Sequence, residues 1–354
     1  MKKVVFALLI VCLMFSGCQC KKDDRVIKIG AILPLTGYAA TNGEMSKNAL
    51  ILAVDSLNKL QSKYHFEIIY EDSKSLPKDA AVCYNKLHMQ GTKFMIGFGG
   101  ATLYSFIPQT NNRNEIIFAT AAPNSDLLSH SNRCLRVYPD VAMVTNSLLE
   151  FTRNNNFKRV AIVYIQNEVY SQYAKSFKNL LKENNIELVF YEGYDPTIID
   201  FKHIINKLSN SNADCIYLAS TGSSTGIIIK QIYQNPNISK HVPIIGDISL
   251  ANSENIKLIG ELKSPVYIVN SQISHDFIDL YYKHYDETPN AFAAYSYSIP
   301  FMIHDVLCSM KDTISDISDI YNQFIQSSFE TVVGPITFDK NTHEPKLELS
   351  VYPL

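Results

Sequence analysis

The sequence predicts an α/β protein built as two doubly wound lobes, each a parallel sheet covered by helices on both faces. Three observations predict it. From residue 26 to about residue 260, short β-branched apolar runs alternate with stretches of helical periodicity, the pattern of parallel strands joined by helical crossovers. Runs such as RVAIVYI and DCIYLAS are apolar almost throughout, as strands buried on both faces must be. A chain of 354 residues exceeds what one ordinary core organises and suits two.

VIKIGAIL opens the first series as a β-branched run. SKNALILAVDSLNKL follows, with Ala49, Leu50, Ala53, Leu57 and Leu60 at helical spacing. FEIIYED, a helical stretch from Lys78 to Gly91, and KFMIGFGG come next, then a helix from about Leu103 to Arg113 and the strand EIIFAT. The second series starts near Val141 with a helix to about Asn154, strand RVAIVYI, and a helix from about Val169 to Lys182. It continues with strand IELVFYEG, a helix near Phe201 to Leu208, strand DCIYLAS, a helix from Thr225 to Tyr233, strand VPIIGD, and a helix near Ser253 to Gly260. SPVYIVN and the long helical AFAAYSYSIPFMIHDVLCSM follow. Pro300 is expected to kink or interrupt that helix, because it has no N–H and crowds the preceding turn. VVGPITFDKNTHEPKLELSVYPL closes the chain as strand, turn, strand. α/β material after the second series implies that the chain returns to complete the first lobe, so more than one segment crosses between lobes.

Composition narrows the function. Hydrophobic residues make up 46% and charged residues 19%, with a formal charge of −2 and no basic stripe, so nucleic acid has no electrostatic footprint to bind. At the N-terminus Lys2 and Lys3 precede the apolar run from Val4 to Phe15, then Ser16, Gly17 and Cys18. This is a secretory signal, too short to span a bilayer comfortably. Ser-Gly-Cys resembles a bacterial lipobox, which implies cleavage before Cys18 and diacylglycerol on its thiol; Phe15 stands where the lipobox usually has Leu. Residues 1–17 thus read as a lipoprotein signal peptide and 18–25 as a lipidated tether, making the protein exported and membrane-anchored, facing the periplasm or cell exterior. The alternative is an ordinary cleaved signal with an incidental cysteine.

Among the other cysteines, Cys83 and Cys134 are a possible bridge in an oxidising compartment, while Cys215 and Cys308 sit in apolar patterns and read as packed thiols. There is no C-x-x-C and no His/Cys cluster at metal spacing. GFGGAT follows a strand, but Thr102 replaces the last Gly of a dinucleotide fingerprint and no acidic residue ends EIIFAT. P-loop, H-E-x-x-H and G-x-S-x-G motifs are missing. No enzyme, cofactor or metal is expected.

IKIGAILPLTGYAATNGEMSKNALILAVDSLN resembles the N-terminus of type I periplasmic solute-binding proteins of the leucine/isoleucine/valine-binding (branched-chain amino acid ABC transporter substrate-binding) family. CLRVYPD resembles the family's first hinge-crossing strand. FKRVAIVYIQNEVYSQYAKSFKNLL resembles its second-lobe strand and Tyr-led helix, and GPITFDKNTHE its Gly-Pro-aromatic-Asp turn. The order and spacing of these stretches over residues 26 to 353 make the match specific. It implies a non-enzymatic, monomeric receptor whose lobes, joined by a three-segment hinge, close around a small polar ligand and deliver it to an ABC permease and its ATPases. Lobe 1 is then 26–138 plus 271–338, and lobe 2 is 139–270 plus 339–354. An amino acid or related compound is the first ligand expected, with an amide, a urea or a small carboxylic acid as alternatives. A competing reading keeps the fold but presents the closed form to a chemoreceptor or sensor kinase.

In an open α/β sheet the loops leaving the strand C-termini line the crevice, and helix N-termini offer N–H groups there. The first such loop is ILPLTGYAATNGE. Thr36, Thr41 and Asn42 supply short polar side chains and Gly37 and Gly43 let backbone approach closely, with helix capping by Thr41 or Asn42 as the alternative. The resemblance puts Asn42 at a ligand-facing position. In GFGGATLYS it puts Ala101 where the family has a Ser/Thr that holds a ligand carboxylate, with Thr102 adjacent. In TAAPNSDLL it matches Ala122 and Asn124 to a backbone carbonyl and a hydroxyl, with Ser125 beside them; a helix cap is the alternative. Tyr170 matches a tyrosine that stacks on the ligand, against a helix-packing alternative, and Thr221 a position that is aromatic in branched-chain binders. In IIGDISLAN the family's amino-acid binders place a carboxylate on the ligand's ammonium. The gapless match falls on Ile248, with Asp247 one residue before it; an Ile there would argue against an α-amino acid.

Overall fold

The computed structural model describes residues 25–354 except 61, 239–240, 252 and 311–315; the signal segment and Cys18 lie outside the described residues. The first series forms β1 (Arg25–Leu33), α1 (Ala40–Asn58), β2 (Tyr64–Asp72), α2 (Pro77–Met89), β3 (Phe94–Phe98), α3 (Gly100–Tyr104), β4 (Ile116–Thr120) and β5 (Cys134–Arg136). These strands make a parallel sheet in the order β2-β1-β3-β4-β5. The second series forms α4 (Val141–Asn154), β6 (Arg159–Ile165), α5 (Glu168–Glu183), β7 (Glu187–Tyr194), α6 (Lys202–Ser209), β8 (Cys215–Ala219), α7 (Ser223–Gln234), β9 (Ile244–Gly246), α8 (Ser253–Ile259) and β10 (Val266–Asn270). The chain ends with α9 (His275–Tyr285), α10 (Ala291–Ser309), α11 (Ile317–Gln326), β11 (Phe329–Thr331), β12 (Gly334–Phe338), β13 (Pro345–Lys346) and β14 (Ser350–Pro353).

The second sheet runs β14-β10-β9-β8-β6-β7, with β14 antiparallel on its edge. Leaving that edge strand aside, both sheets have the same winding, and each reverses direction once: between β1 and β3 in the first, between β6 and β8 in the second. Each sheet is buried on both faces. Ile29, Phe66, Ile96 and Phe118 pack under α1, α10 and α11, while Met95, Ile117 and Ala119 pack under α2 and α3. Ala161, Val163 and Leu218 occupy one face of the second sheet; Val160, Ile162 and Tyr217 occupy the other. Phe277, Tyr281 and Tyr295, from late in the chain, belong to the first core. The chain therefore crosses between sheets three times: after β5, after β10 and before β14.

Three expectations need correcting. The helix foreseen from Leu103 to Arg113 stops at Tyr104 and resumes as a 3-10 turn at Ile107–Asn112; Pro108, with no N–H, starts the tighter turn instead of continuing the helix. Pro300, of the two outcomes expected of it, does not interrupt its helix, which continues through it over 19 residues. Thirteen of these residues are buried, and packing along α1 outweighs a proline cost of about 3 kcal/mol. Cys83 and Cys134 are both free thiols. Cys83 donates to the Asp72 carbonyl at 3.3 Å, and burial pushes its pKa up to about 11.

The glycines of the first loop serve the loop itself. Gly37 has φ +90°, and a Cβ at Gly43 would stand 2.1 Å from the Pro34 carbonyl oxygen. The start of α1 thus lies directly against the end of β1, a contact that tolerates no side chain. Gly43→Ala is expected to cost about 2 kcal/mol, as overpacking against fixed backbone does. Urea unfolding followed by circular dichroism checks this; an unchanged midpoint would mean that the loop yields freely.

Candidate functional site

Ligands in open parallel sheets sit beyond the strand C-termini where the winding reverses. In the first lobe that places the loops after β1 and β3 at the crevice, and in the second the loops after β6 and β8. The sequence-predicted residues fall on these loops and their neighbours, and the structure assembles some of them.

Tyr170, Thr221 and Asp247 come together in the second lobe. Asn167 caps α5 by accepting from the Tyr170 N–H at 2.9 Å, which fixes the first turn and aims the half-buried tyrosine. The Tyr170 hydroxyl donates to Asp247 Oδ2 at 2.6 Å, and the Thr221 hydroxyl is a second partner. Burial, then the Asp247 carboxylate, holds the Tyr170 pKa well above its ordinary value. Four more tyrosines feel that carboxylate: Tyr138, Tyr173, Tyr194 and Tyr217, each raised first by burial. The Asp247 carboxylate is thus felt by tyrosines on both sides of the cleft. Ile248 begins a short 3-10 turn, and its side chain lies outside what the structure describes.

The first lobe is arranged differently. Asn42 Oδ1 accepts from Asn290 Nδ2 at 2.9 Å, and Asn290 in turn caps α10 through Ala293 N at 3.0 Å. Thr36 donates to Asp72 Oδ2 at 2.6 Å, and the same carboxylate accepts from the N–H groups of Leu35 and Thr36. Thr102 is buried, and its hydroxyl bonds the carbonyls of Phe98 and Gly99, so it finishes β3. Ala101 is exposed. The Gly100–Tyr104 helix has no side-chain cap, which leaves its first N–H groups to a ligand or to water. Ser125 is exposed as well.

Asn124 reaches across the cleft: it is 1% exposed, and its Nδ2 donates to Glu168 Oε1 of α5 at 3.0 Å. Behind it stands a residue that sequence reasoning missed. Arg136, at the end of β5, has no solvent exposure. Its Nη1 donates to Ala122 O at 2.9 Å and its Nη2 to Asn124 O at 2.8 Å. Glu344, before β14, pairs with the same guanidinium at 3.1 Å. The carbonyl of Ala122, which the resemblance matches to a ligand-facing carbonyl, already accepts from this arginine. The signal was present in CLRVYPD, since an arginine inside an apolar strand must be satisfied by neighbours. Tyr138 was also passed over. It lies 8% exposed where the chain first leaves the first sheet, stacked on Phe292 with centroids 5.6 Å apart and edge-on to Tyr295.

Ser271 Oγ bonds Glu348 O at 2.9 Å, and Tyr295 OH donates to Ser271 Oγ at 3.0 Å. The second and third crossing segments are thus tied to each other, and to α10, by hydrogen bonds. Among the described residues there is no cluster of three metal-ligating side chains and no helix long and apolar enough to cross a membrane.

Two parallel-sheet lobes, linked by three crossings, meet through residues of their strand C-terminal loops. The chain belongs to the periplasmic binding protein family, whose model matches residues 26–353; the family is one of non-enzymatic solute-binding proteins. Leu/Ile/Val-binding protein homolog 3 of Brucella melitensis is 23% identical over 236 residues, covering 64% of this chain and 62% of that protein. The alignment therefore spans a little under two thirds of that relative. The Leu/Ile/Val-binding protein of Escherichia coli is 21% identical, with 97% of this chain and 94% of that one covered. Among solved structures, the branched-chain amino acid transporter substrate-binding protein LivJ of Streptococcus pneumoniae, in complex with isoleucine, superposes with TM-score 0.77 at 21% identity, covering 93% of this chain and all of that one, 100%. A solute-binding protein of an ABC transporter from Rhodopseudomonas palustris, in complex with 3,4-dihydroxybenzoic acid, gives TM-score 0.80 at 17% identity, with 93% of each chain covered. At such identities these structures speak to the fold.

Proposed function

We propose that this chain is the substrate-binding lipoprotein of an ABC importer, and that it clamps a small amine-bearing ligand, an amino acid first, between its lobes. The observation that carries the reading is the Asp247 carboxylate, which follows β9 and accepts from the hydroxyl of Tyr170, a residue of the helix that leaves β6 beside the reversal of the second sheet. A carboxylate so placed favours a cationic group on the ligand and penalises an anion. The uncapped start of α3 on the facing lobe suits a ligand carboxylate. Asn42, Ala101, Thr102, Ala122, Asn124 and Ser125 line lobe 1 in this reading, and Tyr170, Thr221 and Asp247 line lobe 2. The lobes are 26–138 plus 271–338 and 139–270 plus 339–354, and closure is driven by a ligand that touches both. Cys18 carries the diacylglycerol anchor on the outer side of the membrane, and the closed, monomeric form meets the permease.

A thermal-shift screen with an extrinsic dye tests the ligand class, the dye being needed because the chain has no Trp. The panel holds aliphatic amino acids, amides, ureas and small aromatic acids. A ligand at a hundred times its Kd stabilises by about 2.7 kcal/mol. Shifts with aliphatic amino acids are expected. Shifts confined to compounds without an amine would overturn the amine assignment and move the ligand toward the benzoate class seen in the R. palustris protein.

A further inference from the structure

We infer that Glu168 is a closure latch: its carboxylate, reaching from α5 to Asn124, biases the protein toward the closed form before any ligand arrives. The contact joins the two lobes directly. Asn124 follows β4 in the first sheet, and Glu168 opens the helix that follows β6 in the second. The bond is 3.0 Å long, and swinging the lobes apart would break it.

What makes it a latch, rather than one more surface contact, is a fixed donor on the first lobe and a capped turn beneath the acceptor on the second. On the first lobe the Asn124 side chain is buried against Gly100, where a Cβ would stand 2.1 Å from Asn124 Oδ1. Its own carbonyl is held by Arg136, which is in turn paired with Glu344 near the third crossing. The amide donor is therefore pre-aimed and loses little freedom when it meets an acceptor. On the second lobe Asn167 caps the turn that carries Glu168. A flexible surface pair gains little because ordering two side chains offsets the attraction; here one partner is already ordered.

Glu168 also stands in the first turn of α5, where any anion is favoured by the helix dipole, and the test separates the two roles. Glu168→Asp keeps the charge at the helix start but withdraws the carboxylate by one methylene. Glu168→Gln removes the charge and keeps an acceptor at full reach. Small-angle scattering of the ligand-free protein reads the interlobe equilibrium through the radius of gyration.

Glu168→Gln is expected to match the wild type, whereas Glu168→Asp and Glu168→Ala shift toward the larger, open form, with the closed-to-open ratio down about fivefold. Equal radii for all four proteins would overturn the latch. So would the reverse ranking, with Asp closed and Gln open, because closure would then follow the charge at residue 168 and not the reach to Asn124. The inference rests on hinge closure as proposed above but on no particular ligand. Scattering with 10 mM L-leucine added distinguishes the two failures. Compaction by leucine with no difference among variants sinks the latch alone. Wild-type protein that is open and insensitive to leucine, while a hit from the screen compacts it, sinks the latch and the amino-acid reading but leaves closure standing.

Discussion

Arg136→Met is expected to destabilise the protein by about 3–5 kcal/mol, the loss found when one member of a buried charged pair is removed. Methionine keeps much of the volume, so cavity formation is not the main effect. What is lost is a guanidinium with zero exposure that donates to Ala122 O, Asn124 O and Glu344. Two carbonyls in a buried loop are left without that donor, and a part-buried carboxylate without its cation. Lysine is not a substitute, because one ammonium cannot fork to two carbonyls and a carboxylate; Arg136→Lys should recover only part of the loss. Glu344→Gln should be the mild partner of the set. Burial raises the Glu344 pKa despite the lowering influence of Arg136. With a folded value above the unfolded one, protonation of Glu344 favours the fold below the ordinary glutamate range, and this advantage fades as pH rises through the folded pKa. The amide mimics the protonated state. Urea unfolding of the three variants, followed by circular dichroism at pH 7, checks the ranking. A Glu344→Gln loss as large as that of Arg136→Met would mean that the ion pair, not the carbonyl contacts, anchors the loop.

Most of the fold was legible because its signals are local. Periodicity located the helices of both series apart from the stretch from Leu103 to Arg113, and apolar runs such as RVAIVYI located strands buried on both faces. What escaped depended on contacts distant in sequence. Pro300 looks like a helix breaker until α10 is seen packed inside the first core, and tertiary burial is not written in the neighbouring residues. HDFIDLYYKHY and ISDIYNQFIQ form helices that the alternating pattern did not single out, since no strand separates them in the expected rhythm. The candidate site divides in the same way. Gly43 and the loop after β1 announced a close backbone approach, and the approach proves to be the start of α1 on the Pro34 carbonyl. Asn42 and Thr36 are polar at the crevice, yet their partners, Asn290 and Asp72, lie 248 and 36 positions away. Arg136 drew no notice because its meaning lies in Ala122, Asn124 and Glu344 together.

Asp247→Asn is the substitution whose sign reports the ligand. Asn at 247 keeps an oxygen to accept from the Tyr170 hydroxyl, so α5, Thr221 and the surrounding tyrosines have no reason to rearrange. The ligand-free protein should melt no lower than the wild type, because the change withdraws a charge from a site where five tyrosines feel it and burial disfavours ions. For a ligand carrying an ammonium, the change removes one member of a hydrogen-bonded charge pair. Affinity should fall by about 3 kcal/mol, on the order of a hundredfold in Kd. For an anionic ligand such as a benzoate the same change removes a repulsion, and affinity should rise. Titration calorimetry of wild type and variant, with L-isoleucine and with 3,4-dihydroxybenzoate, therefore reads opposite signs for the two classes. Tyr170→Phe serves as the control: it deletes the hydroxyl that donates to Asp247 and keeps both the charge and the ring. If the amine reading holds, Tyr170→Phe costs far less than Asp247→Asn, since an ammonium can take the acceptor that the tyrosine vacates. Equal losses from the two variants would mean that Asp247 acts by holding Tyr170 in place, and the ring rather than the carboxylate would then be the group that recognises the ligand.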